Sequence, residues 1–242
     1  MLTTIFFAFT FMTLHVAAEI PSYIHVCGRR DPNLDQCIKN NVDNLKTKFC
    51  DGIPELAIPP ANLNIDELLV VDAPKIKVYA KDSKITGLCD FTINSLRTDL
   101  DRLHFNFEVI FKGIQINTTY DLNLHILMPI AYKGPMYITI DNTDAKVDMD
   151  MKLATKGGYR YVYISEFKIN LNVQGYSYDF EMNETESKDL HDILIDFAEK
   201  NKKELLKIFK PVLEKEISKR VILISNDIVK LFTYEELFPD RI

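Results

Sequence analysis

No stretch of this sequence reaches the roughly 18 to 20 consecutive apolar residues that a membrane helix needs. Basic residues are in the minority, 29 Lys and Arg against 35 Asp and Glu, giving a net charge of −6. Because the two signs are interspersed along the chain, no basic face for nucleic acid and no polybasic anchor for a membrane surface is expected. Glycine is scarce, 8 residues in 242, and none is arranged as a phosphate-cradling loop. No Cys-x-x-Cys pair exists, and His25, His104, His125 and His191 are scattered, so no metal site is expected. The string nearest to a nucleophile elbow, Gly175-Tyr176-Ser177-Tyr178-Asp179, lacks the closing glycine and lies in an alternating, strand-like stretch. The strand-to-helix turn that exposes a nucleophilic serine is therefore missing, and no enzyme is expected.

What is present is apolar and patterned. Hydrophobic residues make up 47% of the chain, enough for a substantial core. Residues 1–18 combine an apolar run from Ile5 to Leu14 with small residues at Ala17 and Ala18, and read as a signal peptide although no Lys or Arg precedes the run. Residues 19–242 then form the mature chain, expected to be soluble and exported. All 4 cysteines fall in that part. Cys27 and Cys37 are the expected pair, closing a short loop across Asp31 and Pro32. Cys50 and Cys89 are either a second bridge or two free thiols. Sequons at Asn117 and Asn183 are compatible with N-glycosylation and so with exposure.

Between 33 and 49, Leu34, Ile38, Val42, Leu45 and Phe49 recur at helical spacing, and Asp51-Gly52 supplies a stop. Pro54, Pro59 and Pro60 then favour an extended path into a first strand. For more than a hundred residues thereafter the period is two. Ile76, Val78 and Ala80 alternate with lysines and Tyr79; Phe105, Phe107, Val109 and Phe111 follow; then Tyr120, Leu122, Leu124, Ile126 and Met128; then Val147, Met149, Met151 and Leu153; then Phe167, Ile169, Leu171 and Val173. Turn signals fall at Gly113, Gly134-Pro135, Asn142-Thr143-Asp144 and Gly157-Gly158. The pattern predicts an antiparallel sheet with one wet and one dry face.

Over 190–232 the period becomes helical, and an unbroken helix would be about 64 Å long. Pro211 is expected to kink it, and the polar stretch 199–204 marks a section emerging from the core. Val221-Ile222-Leu223-Ile224 is apolar all round, which predicts a helix enclosed by other structure. The fold class expected is α+β: a long C-terminal helix wrapped by a strongly curved antiparallel sheet, with a short N-terminal helix, in a single elongated domain.

Several segments carry a resemblance: CGRRDPNLDQC at 27–37, GIPEL at 52–56, LRTDL at 96–100, ILM at 126–128, PVLE at 211–214 and LFTYEELFPD at 231–240. In this order they resemble the insect takeout and haemolymph juvenile-hormone-binding family, over nearly all of the mature chain. The resemblance implies a tubular lipid-binding fold, a disulfide near the mature N-terminus, and a secreted extracellular carrier of a hydrophobic small molecule such as a juvenile-hormone-like terpenoid or a fatty-acid-like compound. Departures are Cys50, Cys89-Asp90 in place of Ser-Asn, and the absence of tryptophan from the last helix.

The expected wall of such a tunnel is Phe107, Tyr120, Leu124, Ile126, Met128, Met136, Met149, Met151, Phe167, Ile169, Tyr178, Phe180, Phe209 and Val221. Methionines suit an irregular lipid surface, and Tyr120, Tyr176 or Tyr178 would supply the polar contact. The same alternation also describes a solidly filled core, in which case the protein would act through its outer surface as an extracellular signalling or interaction protein with no ligand. A small hydrophobic ligand, no cofactor, no nucleic acid, no membrane insertion and a monomer are expected.

Overall fold

The structure, a computed structural model, describes residues 20–56, 58–125, 129–181 and 188–242. The signal-peptide expectation for 1–18 and the predicted residues Ile126, Met128 and Asn183 lie outside these. Helix α1 (Leu34–Asp51) leads into strands β1 (Leu63–Ala73), β2 (Ile76–Thr86), β3 (Phe91–Asp99), β4 (His104–His125), β5 (Pro129–Lys156) and β6 (Tyr159–Phe180). Helices α2 (Lys188–Lys200), α3 (Lys202–Val229) and α4 (Tyr234–Leu237) complete the chain. The strands form one antiparallel sheet in the order β1-β2-β4-β5-β6, with β3 also paired to β4. Helix α3 packs along β6 and also reaches β1, the opposite edge, so the sheet is curled into a half-barrel around it.

Three of the four predicted turns are not turns. Gly113 lies inside the 22-residue β4, and Gly134-Pro135 and Asn142-Thr143-Asp144 lie inside the 28-residue β5; only Gly157-Gly158 reverses the chain. At Gly113 and at Asn142 the reason is a crease across the sheet. Residues pair continuously from β4 through β5 to β6, but the row formed by Lys112, Asn142 and Gln174 drops out of both ladders. On one side of that row the side chains turned inward are odd-numbered: Phe105 and Val109, Ala145 and Val147, Phe167 and Leu171 are all buried. On the other side they are even-numbered, with Thr118, Tyr120 and Gly134 buried. All three strands thus change their inward face at one level. Asn142, with φ +44°, makes the change in β5. A one-residue slip in a period-two pattern moves every later side chain to the other face, and in sequence it looks like the end of a strand.

The partner of β4 changes at the same level. β2 pairs with 115–124 and β3 with 104–111. Gly87 makes the crossing between them with φ +88°, and a Cβ there would come within 2.2 Å of the Gly113 carbonyl oxygen. The second disulfide, Cys50–Cys89, anchors this crossing to the end of α1, so the bridge is formed and the thiols are not free. The first, Cys27–Cys37, is as expected, with Cα atoms 6.0 Å apart. It staples the N-terminal segment to α1, where the C-terminal tail is also held: Arg29 N–H donates to the Pro239 carbonyl at 3.0 Å and the Arg29 guanidinium pairs with Asp240 at 2.9 Å.

Helix α3 is attached to β6 by polar side chains. An edge strand exposes unpaired N–H and C=O groups, and here α3 satisfies them. Asn226 accepts from Ile164 N–H at 2.7 Å and donates to its carbonyl at 3.1 Å. Glu214 accepts from Leu171 N–H at 2.7 Å, and the Tyr176 hydroxyl donates to the Lys202 carbonyl at 2.7 Å. From Lys202 to Asn226 the helix rises about 36 Å, and from Ile164 to Tyr176 the strand rises about 40 Å. The two elements therefore stay in step over their whole contact.

The expectation of a fully enclosed helix is corrected: no residue of α3 is buried, and Leu223 is 65% exposed. The half-barrel leaves one side of the helix to solvent, so the apolar run 221–224 faces sheet on one side only. Helix α3 continues through Pro211, and the break falls at Asn201, within the polar stretch 199–204. Leu153, predicted inward, is 41% exposed: it follows the buried Met151 on the same face but lies in the exposed hairpin end that turns at Gly157-Gly158.

Two outcomes follow from the edge contacts and the tail. Asn226→Ala is expected to lower the unfolding free energy by about 1–3 kcal/mol by leaving Ile164 backbone groups unpaired, whereas Leu223→Ser changes it by less than about 0.5 kcal/mol; urea titration measures both. The Asp240 carboxyl is held below the usual carboxylate range, first by the hydrogen bond from Arg29. A depressed folded pKa contributes stability above the unfolded value and loses it as pH falls through the folded one. Asp240→Asn should therefore lower Tm at pH 7, and the gap to the unaltered protein should close as pH drops below roughly 4.

Candidate functional site

The crease divides the interior into two unlike halves. In the first, Phe105, Val147, Met151, Val162, Ile164, Phe167 and Tyr234 form one buried cluster, with Phe107, Met149, Ile169, Val221 and Phe238 packed partly buried against it. Aromatic rings close the gaps, with centroids of Phe107 and Phe167 6.4 Å apart and of Tyr234 and Phe238 5.6 Å apart. Six of the predicted tunnel residues, Phe107, Met149, Met151, Phe167, Ile169 and Val221, are in this cluster or packed against it. Here the strands, α1, α4 and the end of α3 meet, and protein side chains fill the space.

The second half is built differently. Register places Ile114, Ile116, Thr118, Tyr120 and Leu122 of β4 on one face with Gly134, Met136, Ile138 and Ile140 of β5 and Tyr176, Tyr178 and Phe180 of β6. Of this twelve-residue face only Thr118, Tyr120 and Gly134 are buried; the rest, mostly apolar, remain half-exposed. Phe209 of α3 is also half-exposed. Predicted residues Tyr120, Met136, Tyr178 and Phe180 thus share one face, and Leu124 follows Tyr120 and Leu122 in the alternation of β4.

Aromatic contacts organise this face. Tyr120 meets Phe180 edge-on with centroids 5.3 Å apart, Phe180 meets Tyr178 at 5.4 Å, and Tyr178 lies 6.1 Å from Tyr176. The Tyr120 ring covers Gly134, where a Cβ would come within 3.0 Å of it. Thr118 and Ser83 are buried and share a 2.7 Å hydrogen bond. Lys202, the first residue of α3, places its ammonium 5.1 Å from the Tyr176 ring centroid and 5.6 Å from that of Tyr178. Burial, and then the Glu199 carboxylate, hold both phenols above their ordinary pKa, Tyr178 the more strongly. Both therefore stay protonated donors.

Sequence reasoning missed Lys202, because a lysine in a polar run reads as solvated, and missed Thr118 and Ser83 because their pairing depends on the bulge between Lys81 and Lys84. Ser177 is exposed in mid-strand opposite Thr139, without a turn. Two open hollows lie elsewhere. One of about 330 Å³ is lined by polar side chains of α1, and one of about 730 Å³ by Glu108, Asp148, Lys168, Lys210 and neighbours. Ile169 is the one predicted residue that borders either. Among the described residues no group of three metal-ligating side chains occurs, and no helix is long and apolar enough to cross a membrane.

The sequence profile described as "Haemolymph juvenile hormone binding protein (JHBP)" matches residues 4–239. The chain belongs to this family. The Drosophila melanogaster "Circadian clock-controlled protein daywake" is 22% identical over 231 residues, covering 90% of this chain and 88% of that protein. The crystal structure of Epiphyas postvittana Takeout 1 superposes with a TM-score of 0.72 at 18% identity, covering 88% of this chain and 99% of that one. At that identity the likeness shows the fold: a curved sheet, a long C-terminal helix and a short N-terminal helix.

The two halves of this family member should respond differently to truncation. Met151→Ala, within the filled cluster, is expected to cost about 2–5 kcal/mol. Ile140→Ala, on the half-exposed face, should cost under about 1.5 kcal/mol because less area leaves water. Chemical denaturation of the two variants measures the difference.

Proposed function

We propose that the protein is a secreted, non-enzymatic carrier that holds a small lipophilic ligand against the half-exposed apolar face of its second half. The observation that carries this reading is the contrast between the halves. One is filled by its own side chains, whereas the other presents a continuous, largely apolar face, floored by aromatic rings, that remains half-exposed. Apolar surface left in that state is stabilised by about 25 cal/mol per Å² when a ligand covers it, and a few polar groups among apolar walls are typical of small-molecule sites. The family's printed description, juvenile hormone binding in haemolymph, agrees with this reading, with the leader read in residues 1–18 and with two disulfides.

On this proposal Tyr120, Met136, Tyr178, Phe180 and Phe209 line the ligand. Phe107, Met149, Met151, Phe167, Ile169 and Val221 close the end of the chamber from the filled side. The ligand is a juvenile-hormone-like terpenoid or a fatty-acid-like compound, bound by a monomer without membrane insertion. A glycan at Asn117, which is exposed on β4, would leave the concave face free; Asn183 is the second proposed glycan site.

Organic extraction of the purified protein followed by mass spectrometry, with titration of a neutral apolar fluorophore, tests the reading. Co-extracted lipid and probe binding are expected, and Ile138→Trp should weaken the probe at least about tenfold by filling the face. A protein that yields no lipid and leaves the probe silent is instead a filled interaction protein acting through its outer surface.

A further inference from the structure

Resting on the carrier reading, we propose that the ligand's polar end is a free carboxylate, received by the Lys202 ammonium and the Tyr178 hydroxyl where β6 meets the start of α3. Three observations converge there. The Lys202 ammonium forms no ion pair among the described residues; its neighbours are the faces of Tyr176 and Tyr178. The Tyr178 hydroxyl oxygen is shielded from water and makes no hydrogen bond. The Tyr176 hydroxyl, in contrast, is committed to the Lys202 carbonyl, which fixes the residue carrying the ammonium against β6.

The result is a pair of donors with unused capacity at the border of an apolar face. A shielded donor without an acceptor is unfavourable, so a ligand that brings an acceptor supplies what the site lacks. The ammonium chooses among acceptors, because a hydrogen bond between ionised groups is roughly twice as strong as a neutral one. An ester or ketone oxygen could satisfy Tyr178 but leaves the lysine charge without a counter-ion.

Glu199 is the nearest competing group. It is exposed on α2, and its charge acts on both phenols, yet its geometry falls short of a formed hydrogen bond to Tyr178. A carboxylate on the ligand would instead arrive along the apolar face. Phe180, beside Tyr178, then receives the first methylenes of the chain.

The test compares oleic acid with methyl oleate, both displacing the neutral fluorophore N-phenyl-1-naphthylamine from the full-length mature protein at pH 7.4. The acid is expected to displace at about tenfold lower concentration than the ester. Lys202→Met and Tyr178→Phe should each weaken displacement by the acid more than displacement by the ester, shrinking that ratio to less than about threefold. Lys203→Met, on the neighbouring exposed lysine, should leave the ratio intact. Equal displacement by acid and ester, or a ratio untouched in both site variants, overturns the carboxylate assignment and leaves the carrier reading standing. A protein that binds neither the fluorophore nor either lipid overturns both.

Discussion

The architecture depends on the attachment of α3 to the outer edge of β6. A curled sheet of this length has two free edges, and each would otherwise expose a row of backbone donors and acceptors. Asn226 and Glu214 meet that row at two points along one helix, the Tyr176 hydroxyl ties the strand to the Lys202 carbonyl at a third, and the matched rise of helix and strand lets all three form together. Packing alone would hold the helix less specifically, since α3 buries no residue completely. Its polar contacts set its register, and its apolar side closes whatever the sheet leaves open.

That arrangement makes the interior uneven. At one end α1, α4 and the end of α3 converge on the sheet, and bulky residues such as Phe105 and Phe167 complete a dense core. At the other, α3 begins at Asn201 and the chain enters from α2, so fewer elements compete for the space above β4, β5 and β6. The crease separates these regimes. By exchanging inward for outward side chains at one level, it allows one set of strands to serve two regions with different packing.

Much of this was legible in the sequence. Helix α1 followed from Leu34, Ile38, Val42, Leu45 and Phe49, and the alternation named residues that are buried on both sides of the crease, such as Phe105, Val147 and Tyr120, though not the exposed Leu153. Strand length was not legible, because the phase slip at Lys112 and Asn142 mimics a turn. Strand β3 was missed since the bulge between Ile93 and Ser95 breaks its alternation. The exposure of Leu223 was hidden because local composition reports apolarity and not the shape of the sheet around it. The predicted wall mixed two populations: Met151 packs within a filled core while Met136 lies on the half-exposed face, and both obey the same period. Only cross-strand register separates them. Lys202 escaped notice for a related reason: its neighbours Tyr176 and Tyr178 are brought to it by tertiary structure.

The matched crease also constrains how such a chain can evolve. Adding or deleting one residue in β4 alone, near Gly113, would turn half of that strand inside out against neighbours that kept their phase. Length changes there are tolerable only if β5 and β6 acquire them in concert, a rare coincidence, whereas the Gly157-Gly158 tip can lengthen without penalty. Divergent relatives should therefore keep constant spacing across the middle of the sheet and differ in size at its hairpin ends.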